Sequence, residues 1–202
     1  MTEPSRCALL ILAAGASTRM ERPKQLLAVD GQPLLRRVTE AGLAAPVAVV
    51  VVVLGARAAE IAPCLGGLPV QIVVNPGWAE GMGSSLRLGI RTVAAVLPAP
   101  EFAVVALGDQ PDFTAAQLER LIETQRATGR PIVAADYDGV RGPPVLFAAK
   151  YFPALQALQG DTGARALLQA HAHEVATVPF PKTADLDTPA DYEGYLGRKR
   201  KS

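Results

Sequence analysis

Apolar positions along this chain fall into two alternating rhythms. Short unbroken runs of Val, Leu, Ile and Ala read as buried strands, and segments with apolar residues three and four apart read as amphipathic helices. The unbroken runs cover 7–12, 47–54, 70–74, 102–107 and 132–135. Between them lie helix-period segments over 33–44, 58–65, 84–96 and 114–128. Leu34, Leu35, Val38 and Leu43 face inward in the first of these helices, and Leu86, Ile90 and Val93 in the third. Pro33 opens the first, where proline's missing N–H is tolerated. Ser84 or Ser85 is placed to cap the third and Thr114 the fourth.

Beyond residue 136 the rhythm changes. "DGVRGPPVLF" reads as a Gly/Pro turn feeding a short strand over 145–147. Helical pieces follow at 151–158 and 164–170, then a strand at 174–178. A last helix begins at "DTPADYEGYL", with Thr188 as cap and Pro189 in the first position. Strand–helix alternation through the first half predicts an α/β fold, a Rossmann-like three-layer sandwich around a mostly parallel sheet. The hairpin-like piece around residues 143–147 predicts one antiparallel strand. There is no repeat, low-complexity linker or break in composition, so residues 1–202 are expected to form a single domain.

Composition narrows this picture. The 202 residues are enough for a real core. Half are hydrophobic and 5% are aromatic, so the core is aliphatic, as suits a sheet covered on both faces. The net charge of +1 lacks the basic excess of a nucleic-acid or membrane binder. The tail "GRKRKS" reads as a solvated chain end. "APVAVVVVVLGA" is too short to span a bilayer, and "MTEPSR" does not open a signal peptide. Cys7 and Cys64 belong to no CxxC or Cys/His cluster and read as reduced thiols of a cytoplasmic protein. His171 and His173 read as surface residues, with no further ligand pattern beside them.

In doubly wound sheets ligands bind beyond the carboxyl ends of strands, so the loops there carry the chemistry. In "LILAAGASTRMERPKQLL", a strand feeds Ala13-Ala14-Gly15-Ala16-Ser17, whose small residues let backbone N–H groups converge on an anion. Arg19, Arg22 and Lys24 add charge, and arginine can grip phosphate oxygens in pairs. Neither a Walker A loop nor GxGxxG is present. In "ALGDQPDF", Asp109 ends a strand and either holds Mg²⁺ near a phosphate or caps the next turn. Asp112, just before Thr114, reads as structural. In "PKTADLDTPADY", Asp185 or Asp187 is a second Mg²⁺ ligand, or both are helix N-terminal acids. In "NPGWAEGMGSSLRLGI", Gly81, Gly83, Ser84 and Ser85 sit at a helix start that suits a second anion. Trp78 beside it either stacks on a flat substrate or packs the turn.

These segments, with "RGPPVLF" and "GDTGAR", resemble in this order the MobA-like nucleotidyltransferases over nearly the whole chain. They resemble most the molybdenum cofactor cytidylyltransferase branch, to which "GMGSSL" and "GDQP" are the more specific. The resemblance implies a fold of the nucleotide-diphospho-sugar transferase type. It implies Mg²⁺-dependent transfer of CMP from CTP, or a nucleotide from another NTP, to the phosphate of a molybdenum-loaded pterin, with release of pyrophosphate. Carried over residue by residue, it puts Leu12, Ala13, Ala14, Gly15 and Gly108 on the nucleotide. Arg19 and Lys24 fall on the triphosphate as catalytic cations, Asp109 and Asp187 on the metal, and Gly83, Ser84 and Ser85 on the acceptor. It also implies transient contact with a molybdenum hydroxylase or its chaperone. Arg22, between Glu21 and Pro23, falls on the outer side of the loop. "AAG" in place of "AGG" leans toward CTP over GTP. Two positions depart from the family pattern: Glu21 stands where Gly is frequent, and Pro143 where many relatives carry His. Transfer to a sugar phosphate, or carriage of the cofactor without catalysis, are the competing readings.

Overall fold

The computed structural model describes residues 6–20, 22–161, 163–182, 184 and 186–199. In chain order the elements are β1 (Cys7–Ala13), β2 (Ala28–Val29), β3 (Gln32–Pro33), α1 (Leu34–Leu43), β4 (Val49–Leu54), α2 (Ala58–Ile61), β5 (Gln71–Val74), α3 (Met82–Val96), β6 (Phe102–Leu107), α4 (Ala115–Thr128), β7 (Ile132–Tyr137), β8 (Val140–Ala148), α5 (Phe152–Gln156), α6 (Arg165–Ala170), β9 (Val175–Pro179) and α7 (Pro189–Lys199). No helix among the described residues is long and apolar enough to cross a membrane.

The main sheet has seven strands in the order β5-β4-β1-β6-β8-β7-β9. β8 runs antiparallel to both of its neighbours, and the remaining pairings are parallel. The mostly parallel sheet with one antiparallel strand is therefore as expected. β1 lies near its centre and is buried throughout. Its side chains alternate, with Leu9, Ile11 and Ala13 in one core and Ala8, Leu10 and Leu12 in the other. The first core is closed by Leu35 and Val38 of α1, Leu118 and Leu121 of α4 and Tyr195 of α7. The second is closed by Leu86, Ile90 and Val93 of α3, Leu155 of α5 and Leu168 of α6. Three layers result, helices on sheet on helices. The chain moves outward from β1 through β4 to β5, then returns to β6 on β1's other side. The strand order reverses there, which opens a crevice beyond the carboxyl ends of β1 and β6.

Two caps follow the predicted chemistry. Thr114 accepts from the Gln117 amide, and Gln117 Oε1 accepts in return from the Thr114 amide. Thr188 Oγ1 accepts from the Asp191 amide, and the Asp191 carboxylate accepts from the Thr188 amide at 2.8 Å.

Other boundaries move for physical reasons. The helix expected over 58–65 holds α geometry for one turn only. It tightens to a 3₁₀ turn over Ala62–Leu65, where Pro63 withholds an N–H. β8 starts at Val140, well before 145. Asp138 and Gly139 both take positive φ, as a tight hairpin demands. Pro143 and Pro144 then occupy a bulge between the Ala134–Val145 and Ala135–Gly142 pairs, where no ladder donor is needed. The small β2–β3 hairpin, turning on Asp30-Gly31, has no apolar run to announce it.

Candidate active site

The crevice holds a cleft of about 380 Å³. Its floor is built where β1 and β6 end. Gly108 N–H donates to the Leu12 carbonyl at 2.9 Å. A Cβ on Gly108 would lie 2.9 Å from Ala13 Cβ and 2.8 Å from Leu35 Cδ1, so a larger residue would push the two strand ends apart. On the opposite flank Gly55 backs the loop, where a Cβ would lie 2.7 Å from the Ala14 carbonyl oxygen and 2.6 Å from Trp78 Cβ.

Gln25 closes the loop after β1 from within. It is 2% exposed, and its Nε2 donates to the carbonyls of Ala13 at 3.0 Å and Gly15 at 3.1 Å. Ser17, held at φ 55°, donates to Gln25 Oε1 and accepts from the Lys24 amide at 3.1 Å. The loop's carbonyls are thus drawn inward. The amides of Gly15 and Ala16, which line the cleft, have no acceptor among the described residues. That arrangement suits an anion.

The charged groups meet at Lys24. Its ammonium contacts the carboxylate of Asp109 and lies 3.2 Å from that of Asp187, which also takes Arg19 at 2.7 Å. The Lys24 side chain is 19% exposed and that of Arg19 68%, so the lysine is the inner cation and the arginine stands at the lip. Burial alone would lower the Lys24 pKa. Asp109 and then Asp187 outweigh it and hold the ammonium above its ordinary value.

The carboxylates of Asp109 and Asp187 are hard oxygen donors of the kind Mg²⁺ and Mn²⁺ take. Among the described residues no group of three or more His, Cys, Asp or Glu stands ready to hold a metal. An ion at this pair would therefore draw its other ligands from phosphate and water, as Mg²⁺ does in phosphoryl-transfer sites. The donor set fits such an ion, and Lys24 would have to give up part of its hold on the two acids.

Residues 9–175 match the MobA-like NTP transferase domain. The chain belongs to the MobA-like NTP transferase family. It is 36% identical over 169 residues to nicotine blue oxidoreductase of Paenarthrobacter nicotinovorans, covering 79% of this chain and 80% of that protein. The Rv0371c homologue from Mycobacterium sp. strain JC1 superposes with a TM-score of 0.83 at 31% identity, over 97% of this chain and 98% of that one. Rv0371c of Mycobacterium tuberculosis H37Rv, in a complex with manganese, superposes with a TM-score of 0.79 at 28% identity, over 95% and 98%.

In this MobA-like chain the residues singled out from the sequence divide into three groups. Leu12, Ala13, Ala14, Gly15, Lys24, Gly108, Asp109 and Ser85 line the cleft. Arg19 and Asp187 lie at its edge, joined to Lys24 through the ion pairs. Arg22 is off it, over the ring of Tyr192 at 5.7 Å, and Asp112 accepts from the buried Tyr195 hydroxyl. Asp185 and Glu21 lie outside the described residues.

The start of α3 differs from expectation. The helix begins at Met82 with Gly81, at φ 107°, as its N-cap residue, and no side chain caps it. Ser84 and Ser85 are buried within the first turn, and both accept from Asn75 Nδ2, at 2.9 and 3.0 Å. The Ser84 hydroxyl donates toward the carbonyls of Gly77 and Gly81, so it has a structural bond of its own. The Gly83 amide donates to the Gly160 carbonyl at 2.9 Å, and the Ser84 amide to Gly81. Two amides counted on for a second anion are therefore occupied.

Trp78 lines the cleft and is 37% exposed, so its ring is open to a ligand although its Cβ packs on Gly55. Two polar residues of the cleft went unnoticed in the sequence. Gln25 looks like any polar residue in "PKQLL", and nothing in the pattern marks it as buried. Asp161 lines the cleft as an exposed carboxylate. Its place in "GDTGAR" was the available signal.

Proposed function

We propose that this chain is a divalent-metal-dependent nucleotidyltransferase that uses CTP and transfers CMP to the phosphate of a molybdenum-loaded pterin. A phosphate oxygen of the acceptor attacks the α-phosphorus of CTP. The new P–O bond forms as the bond to the β-phosphate oxygen breaks, and pyrophosphate leaves. One observation carries the reading: Lys24 sits between Asp109 and Asp187 beneath a loop that presents unclaimed amides.

Transfer at phosphorus asks a protein for positioning and charge stabilisation rather than for a nucleophile. The loop of Ala13–Ala16 receives the nucleotide, with Gly15 allowing close backbone approach. Lys24 and Arg19 stabilise charge that builds on the leaving pyrophosphate. Asp109 and Asp187 would hold a divalent ion, which would supply further neutralisation of the triphosphate. The manganese complex of Rv0371c supports a divalent ion in a relative of this fold and sequence. The lean toward CTP rests on Ala14.

The test is pyrophosphate release with each of four NTPs, Mg²⁺ or Mn²⁺, and either molybdenum-loaded pterin or a panel of sugar phosphates. CTP with the pterin should turn over, and Asp109→Ala should abolish release while leaving the thermal midpoint within a few degrees. Normal turnover of that variant would remove Asp109 from the metal. Turnover with a sugar phosphate alone would replace the acceptor. A second reading is favoured by one observation, the oxidoreductase name of the Paenarthrobacter relative. Consumption of a reduced nicotinamide or flavin in the same cleft, with no pyrophosphate from any pair, would establish it instead.

A further inference from the structure

Asn75 follows β5 directly and is held at the carboxyl ends of two parallel strands. Its backbone amide donates to the Leu54 carbonyl at the end of β4, at 2.7 Å. Its side chain is buried. Oδ1 accepts from the Gly77 amide at 3.0 Å, an Asx turn that fixes which end of the carboxamide is oxygen. Nδ2 therefore faces α3, and its two hydrogens go to the hydroxyl oxygens of Ser84 and Ser85, at 2.9 and 3.0 Å. A carboxamide nitrogen has two donors, so Asn75 has none left.

A serine hydroxyl has one proton to give and lone pairs with which to receive. Ser84 gives its proton to the backbone, toward the carbonyls of Gly77 at 2.9 Å and Gly81 at 2.8 Å. Ser85 receives from Asn75 and has no acceptor for its own proton among the described residues. Ser85 is 4% exposed, and it lines the cleft with Gly15, Ala16, Lys24 and Asp109, whereas Ser84 does not. A buried donor left without an acceptor is costly, and an anionic oxygen in the cleft removes that cost. The positive end of the fifteen-residue α3 acts in the same sense. The Gly83 and Ser84 amides are already bonded, so a hydroxyl is what the start of this helix retains for an anion.

We infer that Asn75 is a positioning residue that sorts the two serines. It donates to the Ser85 oxygen from behind, so that the Ser85 proton turns to a phosphate oxygen bound in the cleft, and it leaves Ser84 to hold the helix start. This rests on the nucleotidyl-transfer reading, which brings two phosphate-bearing substrates to one place. Two features carry it. The polarity of the Asn75 carboxamide is set by Gly77, and the two serine protons have different fates. Donation by Asn75 also strengthens the bond that Ser85 makes, because hydrogen bonds in a chain polarise one another.

The test is calorimetric titration of the full chain with CTP and Mg²⁺ and, in a second arm, with methyl phosphate. The variants are Ser84→Ala, Ser85→Ala, Asn75→Asp and the last two combined. Ser85→Ala should weaken binding about tenfold in at least one arm. Loss with CTP places the bond on the triphosphate, and loss with methyl phosphate places it on the acceptor's phosphate. Ser84→Ala also deletes the bonds to Gly77 and Gly81, so it should lower the thermal midpoint more and the affinity less. Asn75→Asp keeps the bond from Gly77 but presents the serines with an acceptor. It should draw the Ser85 proton out of the cleft and weaken binding as Ser85→Ala does. In the Ser85→Ala background it should weaken binding no further. No loss in Asn75→Asp overturns the positioning role, and so does a further loss in that background, which marks charge repulsion by the new carboxylate. Asn75→Ala adds no charge, and the same cycle with it decides the point if the aspartate variant folds poorly. Ser85→Ala matching wild type in every arm that wild type binds, or a wild type that binds neither ligand, overturns the inference. Binding weakened in Ser85→Ala with no pyrophosphate released from any NTP keeps the hydrogen bond and removes the transfer reading. Turnover by Ser85→Ala at an unchanged KM for both substrates keeps the transfer reading and removes the hydrogen bond.

Discussion

Lys24→Met tests the arrangement on which the site depends. The substitution keeps the apolar stem of the side chain and deletes the ammonium that joins Asp109 to Asp187. A hydrogen bond to a charged group contributes about 1.5–3 kcal/mol when shielded. Here the Asp109 and Asp187 side chains are 27% and 36% exposed, so solvent screens much of that. The two contacts together are then worth about 1–2 kcal/mol. In a chain of this size each kcal/mol shifts Tm by about 2–4 °C, so the variant should melt about 2–8 °C below wild type. Transfer should fall about a hundredfold or more, because a cation aimed at developing charge is lost. The more discriminating result concerns metal. In wild type an ion at the two carboxylates would compete with the ammonium. In the variant Asp187 keeps Arg19 and Asp109 loses its ammonium. Mn²⁺ added without nucleotide should therefore raise the Tm of the variant more than that of wild type. The pH dependence has a definite sign. The raised pKa of Lys24 means that folding favours its protonated form. Its contribution is complete below the ordinary value of 10.5 and fades as pH rises through the raised one. The gap in Tm between wild type and variant should be flat across neutral pH and close in alkali. An equal Mn²⁺ shift in both proteins, or a variant more stable than wild type without metal, would refute the competition between lysine and metal.

Other substitutions probe single supports of the cleft. Gln25→Leu leaves the Ala13 and Gly15 carbonyls without their donor and should cost about 2–3 kcal/mol in urea unfolding, with weaker nucleotide binding in equilibrium titration. Ala14→Gly should loosen CTP preference, read as the CTP to GTP ratio of kcat/KM; an unchanged ratio would place base choice elsewhere. Tyr195, whose hydroxyl donates to Asp112, has its pKa raised from 10.0 to about 12 by burial and then by that carboxylate. Folding favours the protonated phenol, so the stability it contributes is complete below pH 10 and declines toward pH 12. Tyr195→Phe should flatten that part of the Tm profile, and an identical alkaline slope in wild type and variant would count against it.

The layers were legible because β strands buried on both faces are continuous apolar runs and the helices between them keep a 3.6-residue period. Thr114 and Thr188 were legible because a hydroxyl three residues ahead of Gln117 or Asp191 has a local partner. What escaped depends on contacts remote in sequence. Two serines ahead of an apolar helix look like caps, but the Gly83 amide is bound by the distant Gly160 carbonyl, and both serines are drawn inward by Asn75. The first half of β8 was hidden because Pro143 and Pro144 read as breakers, and only the partner strand reveals the bulge that accommodates them. Gln25 was hidden for a related reason: a polar residue plugging a loop and one facing water are written with the same letter.

The hydrogen bond between Arg19 and Asp187 joins positions 168 residues apart. At a translation rate of roughly 5–20 residues per second, on the order of ten seconds or more passes between making one and making the other. Through the whole of that interval the loop after β1 carries its cations with no acid from α7's leading turn to meet them. The last strand of the sheet ends at Pro179, before that acid, so the sheet's strands are all synthesised before Asp187 exists. On the proposed reading, a nascent chain at that stage is an anion-binding loop with only one of the two carboxylates that would hold a metal. The pair that would place a metal on a nucleotide is completed only after every strand of the sheet has been made.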